Sequence, residues 1–152
     1  MVEIAKLEEF GAAAVVGCEH LKDHLLIVNE ADFNSQLAGV KAWPLLLCVL
    51  PSSTGDDKNA DNYAESNAGL FFVLAPIKEK LTRSERTALW ILTQQAMGEF
   101  KDFIRKQMTD QSSAFYEMLQ DADFGKRNED PEFNLLGNIG WSLLFDYTTS
   151  GL

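Results

Sequence analysis

The side chains best suited to chemistry gather in one short segment, Cys18-Glu19-His20-Leu21-Lys22-Asp23-His24, which holds both histidines and one of the two cysteines. Read as a helix, the segment sets His20 and His24 one turn apart on one face, a spacing at which two imidazoles can share a metal ion. Cys18 would face elsewhere, and no later Cys and His pair completes a tetrahedral site. No metal is therefore expected, and the two rings read as surface histidines at a helix end, where the dipole favours cations. A second ligand-like run, Asp57-Lys58-Asn59-Ala60-Asp61-Asn62, sets oxygen donors at the first, third and fifth positions of a calcium loop. It departs from that motif at Asn62, where a turn glycine belongs, and at Ala68, where a bidentate glutamate should close the loop. A solvated loop is the better reading.

Nucleophilic and acid–base chemistry find no better footing. Gly-x-Ser-x-Gly and the phosphate-cradling Gly-rich loop are both absent, and Gly137-Asn138-Ile139-Gly140 is a turn signal with no helix after it. With both histidines in one segment, no spacing suggests a Ser/His/Asp or Cys/His relay. Asp56 and Asp57 are adjacent carboxylates in an exposed, undirected setting. Trp43, Trp90 and Trp141 sit in apolar patterns and read as core. The expectation is a protein that is not an enzyme, with no catalytic residue, cofactor or metal.

A chain of 152 residues with 46% hydrophobic side chains has the length and apolar content of a single domain, 1–152. Cys18 and Cys48 read as buried thiols rather than a disulfide, since residues 1–6 carry charges through what would be the apolar core of a secretion signal. The longest apolar runs, 42–51 and 68–77, reach about half of the roughly 20 residues that a membrane helix needs, so no membrane partner is expected. Thirteen basic against twenty-three acidic side chains leave a net charge of −10, which argues against direct nucleic-acid binding. Lys101, Arg105 and Lys106 are interleaved with Glu99 and Asp102 as on a solvated helix face. Net negative charge also suits a soluble protein that works near nucleic acid without adhering to it.

Periodicity supplies the elements. In 140–148, Trp141, Leu143, Phe145 and Tyr147 alternate with Ser142, Asp146 and Thr148, which predicts a strand with one strongly apolar face. Residues 3–18 space Ile4, Leu7, Gly11, Ala14, Val15 and Cys18 as an amphipathic helix, whose small residues permit close approach to its own sheet or to a second subunit. Residues 25–28 fit a short strand or a helix end, and Asp32 fits the cap of a short turn. The proline-bounded run 43–51 and the run 69–76 predict strands covered on both faces. Between them, about 52–67 reads as a long exposed loop with little to bury except Tyr63. Asp56, Asp57, Asp61 and Tyr63 are its candidate interface residues.

A Thr82/Glu85 capping box opens a helix over 83–108, with Leu89, Leu92, Ala96, Phe100, Phe103, Ile104 and Met108 in one stripe and Gly98 as a place for a close contact. Residues 114–123 fit a helical turn or a strand, and 125–134 a polar loop. Residues 133–139 fit the first arm of a hairpin that turns near Gly137 and Gly140. The fold class is α+β: a mostly antiparallel sheet packed by one long helix and an N-terminal helix.

That order, with Trp43-Pro44 opening the first strand, 67–75 forming the second and Gly140-Trp141 opening the last, resembles the tail-completion and tail-terminator proteins of tailed bacteriophages and prophages. The resemblance implies a structural protein that forms homo-oligomeric rings, commonly hexamers, and meets other tail proteins, with the hairpin loop touching neighbours. It further implies a cytoplasmic protein before assembly that becomes virion-associated. The competing class is a small-molecule or peptide-binding domain with a pocket between helix and sheet, lined by Trp43, Phe71, Phe103 and Trp141.

Overall fold

The computed structural model describes residues 2–56 and 64–150. The chain is an α+β fold with the element order α1 (Ile4–Gly17), β1 (Asp23–Ile27), α2 (Glu30–Gln36), β2 (Leu45–Asp56), β3 (Ala64–Pro76), α3 (Arg83–Thr109), α4 (Tyr116–Leu119), β4 (Asn128–Leu135) and β5 (Asn138–Ser150). Short 3-10 turns occupy Leu37–Gly39 and Phe124–Lys126. The strands form one sheet in the order β1-β2-β3-β5-β4, with β1 parallel to β2 and every other pair antiparallel.

Alternation along the strands decides what each helix covers. Leu46 and Cys48 of β2, Phe71 and Val73 of β3, and Leu143, Phe145 and Tyr147 of β5 point to one face, where α1, α3 and α4 bury them. Leu45, Leu47 and Leu74 point to the other face and pack with Ile27 and Phe33. Cover on both faces is why 43–49 is apolar without interruption, whereas the expectation of double cover holds on β3 only at Leu74, since Leu70 and Phe72 on the second face are half-buried. The α1 helix lies close on its own sheet: a Cβ on Gly11 would stand 2.7 Å from Cδ2 of His24. Phe10 is the hub of the main core, with the rings of Phe71, Phe100, Phe103 and Phe115 at 5.5 to 6.0 Å.

The 27 residues of α3 make a rod of roughly 40 Å. Ala96, Phe100 and Ile104 are fully buried, as the stripe requires. At its start Thr82 Oγ1 accepts from the Glu85 amide at 3.2 Å and donates to Glu85 Oε1 at 3.0 Å, so the glutamate meets the threonine hydroxyl rather than its amide. The cap of α2 is Asn29, not Asp32; Asn29 Oδ1 accepts from the Asp32 amide and Asp32 Oδ2 accepts from Val28 N–H, a reciprocal capping arrangement. Gly98 makes no close contact, because a Cβ there would meet open space.

Two further expectations are corrected. Residues 128–132 form the first part of β4 rather than a loop. As the sheet's edge, β4 needs no apolar outer side and tolerates Pro131, whose missing donor and acidic neighbours discourage further strand pairing. The expectation of an exposed loop over all of 52–67 is corrected at both ends: Ser52 to Asp56 pair with Ala68 to Ala64 after a bulge that follows Val49. Polar residues continue the ladder there because backbone pairing does not require apolar side chains.

Candidate functional site

The continued ladder is the feature that the fold itself does not require. Ser66, Asn67 and Ala68 of β3 pair on their other side with Thr148, Tyr147 and Asp146 of β5, and the register runs on to Ala64 opposite Ser150. β2, β3 and β5 thus extend together as a three-stranded flange. Ser52, Ser53, Thr54, Gly55 and Ser66 are all exposed there. Among the predicted interface residues, Asp56 ends β2 opposite Ala64. Asp57, Asp61 and Tyr63 lie outside the described residues.

Asn67 fixes the base of the flange. Its side chain is fully buried at an inward position. Its Oδ1 accepts from Ser53 Oγ of β2 at 2.7 Å, and its Nδ2 donates to Tyr147 O at 3.2 Å and Thr149 Oγ1 at 3.0 Å of β5. One amide therefore ties three strands where the helical cover ends, and removing it would leave buried polar groups unsatisfied. Beside it Gly69 leaves room for Tyr147, whose Cε1 would be 3.0 Å from a glycine Cβ. Burial, with a smaller contribution from Cys48, holds the Tyr147 phenol well above its ordinary range.

The chemically versatile segment is divided between two partners. His20 follows α1 in a turn, while His24 lies in β1, so the two rings do not share a helical face. His24 Nε2 meets Glu8 Oε1 of α1 at 2.7 Å, and its ring rests against Gly11. His20 pairs with α3 twice: Glu99 Oε1 accepts from the His20 amide at 2.8 Å, and Glu99 Oε2 lies 2.8 Å from Nδ1. Partial burial opposes the charge on Glu99, but the two His20 hydrogen bonds outweigh it and hold the carboxyl below its ordinary value. Glu19 brings a third ligand-type atom within 4.8 Å of this pair. Both oxygens of Glu99 are already engaged by His20, so the geometry is that of a clamp between the α1–β1 turn and α3. Burial, with Glu99 and Asp102 nearby, pushes the Cys18 thiol up to about 11, and burial pushes Cys48 higher still. Both cysteines are free.

No family model matches the chain, and no curated protein matches it.

The four aromatic residues named for a helix–sheet pocket do not converge. Trp43 packs with the Leu45 and Phe33 cluster on the second face, while Phe71, Phe103 and Trp141 belong to the main core on the first. Trp141 instead stacks edge-on against Trp90 at 5.7 Å. No helix among the described residues is long and apolar enough to cross a membrane. Sequence reasoning passed over Asn67 and Glu99. Asn67 carried a usable signal, since it shares the inward parity of Gly69, Phe71 and Val73 in an otherwise apolar strand.

Proposed function

We propose that this protein is a structural assembly component that forms homo-oligomers, and that its role is that of a ring-forming tail-completion or tail-terminator protein of a phage or prophage. The observation that carries the reading is the flange. Beyond Asn67, a three-stranded extension with exposed polar residues and no helix over it among the described residues buries little apolar surface of its own, yet Asn67 ties it to the core. Such an element gives its own domain little stability and is suited to meeting a neighbour. Pairing along the β4 edge is a poor alternative route to assembly, because β4 carries Pro131 with Glu129, Asp130 and Glu132. Net charge of −10 suits a ring through which DNA passes without adhering.

The test is a shortened hairpin that joins Ser53 to Asn67 through an Asn-Gly turn, which keeps the Asn67 clamp and the last flange pair in register. The expected result is a thermal midpoint close to the parent's and loss of higher assembly by light scattering. A shortened chain that assembles like the parent at the same salt and concentration refutes the role given to the flange.

A further inference from the structure

Charge and exposed apolar groups mark two complementary surfaces on the molecule. On the second sheet face, α2 and the residues around it cover β1 and the neighbouring part of β2, but no helix among the described residues covers β3, β5 and β4. Val49, Leu70 and Leu144 lie directly beside one another across β2, β3 and β5, and Phe72 occupies the next position on the same side. Val49, Leu70 and Phe72 are half-buried and Leu144 is 39% exposed. Asp146 follows Leu144 at the next outward position of β5, and Asp130 and Glu132 flank the patch on β4. None of these three carboxylates has a side-chain partner among the described residues. The five strands and α2 contain no lysine or arginine. The result is an open apolar patch with an acidic rim.

The same chain carries the complement. At the start of α3, Arg83, Thr87, Ala88 and Ile91 line a shallow hollow of about 660 Å³ together with Thr82 and Ser84. Ile91 is 51% exposed, and the Arg86 guanidinium lies 5.5 Å from the ring centre of Phe133, itself 61% exposed. Neither arginine has a carboxylate partner among the described residues. Two copies joined by their open sheet faces would set Asp130, Glu132 and Asp146 against like charges, which disfavours a two-fold contact through that face.

We propose that the open sheet face of one copy receives the N-terminal end of α3 from a second copy, with Val49, Leu70, Phe72 and Leu144 against Ala88, Ile91 and Phe133, and Arg83 and Arg86 against Asp130, Glu132 and Asp146. This rests on the self-assembly reading above and adds to the flange a second contact beside its base. The contact is head-to-tail, so it builds a ring where its rotation closes and an open chain where it does not.

The experiment exchanges the charges on the full-length chain. One variant carries Asp130→Arg and Glu132→Arg; the other carries Arg83→Glu and Arg86→Glu. All of these residues lie at the surface, and circular dichroism and thermal midpoints confirm folding; if a double variant loses its fold, Asp130→Arg and Arg86→Glu alone replace it. Each variant by itself should be monomeric under conditions in which the parent assembles, because one half of the contact has become repulsive. Mixed in equal amounts they should reassemble, since an alternating arrangement sets the exchanged side chains against opposite charges and leaves the other contact as in the parent. A parent that assembles while each variant alone assembles equally well overturns the interface and leaves self-assembly standing. Variants that are monomeric alone and stay so when mixed also overturn it. A parent that is monomeric at every concentration refutes the self-assembly reading and this inference with it.

Discussion

Gly140 gives the sharpest test of the sheet. It pairs with Leu74 in the β3–β5 ladder, and a Cβ added there would stand 1.8 Å from Val73 O, 2.9 Å from Val73 C and 3.1 Å from Leu74 Cα. All three obstacles are backbone, so no rotamer change relieves them. The strands would have to part by more than 1 Å, enough to break the neighbouring ladder hydrogen bonds, each worth about 0.5–1.5 kcal/mol net. Overpacking adds about 1–3 kcal/mol. Gly140→Ala should therefore lose about 3–5 kcal/mol, a large share of a typical domain's stability of about 5–15 kcal/mol. Urea unfolding followed by tryptophan fluorescence is the assay, since Trp141 is the next residue and stacks on Trp90. Gly98→Ala is the control: a Cβ there meets open space within α3, and removing a glycine from a helix interior should gain about 0.5–1 kcal/mol. If the alanine at 140 proves neutral while the one at 98 is costly, the β3–β5 register and the packing of α3 are both wrong.

Phe100 is fully buried with Phe71 at 5.2 Å and Phe10 at 5.9 Å, so Phe100→Ala should cost about 3–5 kcal/mol; an unchanged urea midpoint would contradict the core assignment. The Glu99 clamp predicts a pH signature. A carboxyl held below its ordinary value of 4.5 stabilises the fold fully above that pH and loses the contribution as pH falls below it. Glu99→Gln should thus lower the thermal midpoint at neutral pH, and its difference from the parent should shrink below about pH 4.5; a difference that stays constant or grows as pH falls below that value would refute the clamp.

How much of this was legible depended on whether a residue's environment follows from its own element. The α3 stripe and the β5 alternation were readable because each is one element's burial pattern, and Thr82 with Glu85 marked the helix start from local chemistry alone. Partners far apart in sequence were not readable: His20 meets Glu99 and His24 meets Glu8 only because the sheet brings α1, β1 and α3 together. The two histidines, one helical turn apart on paper, lie on a turn and a strand. Gly98 and Gly140 looked alike as glycines, yet one lies in open space and the other against a backbone, a difference set entirely by the neighbouring strand. The flange was hidden for a related reason, since polar residues extend a ladder without leaving an apolar signature. Phe10 shared the spacing of Leu7, Gly11 and Ala14 and was readable in principle, but its role as hub depends on Phe100 and Phe115 arriving from elsewhere.

The most direct test of assembly as this protein's role is the solution mass of the untagged full-length chain by light scattering across a concentration series at low and high salt. Charged contacts across the interface predict a particle several times 17.0 kDa that dissociates as salt rises. A mass of 17.0 kDa at every concentration and salt would contradict the account.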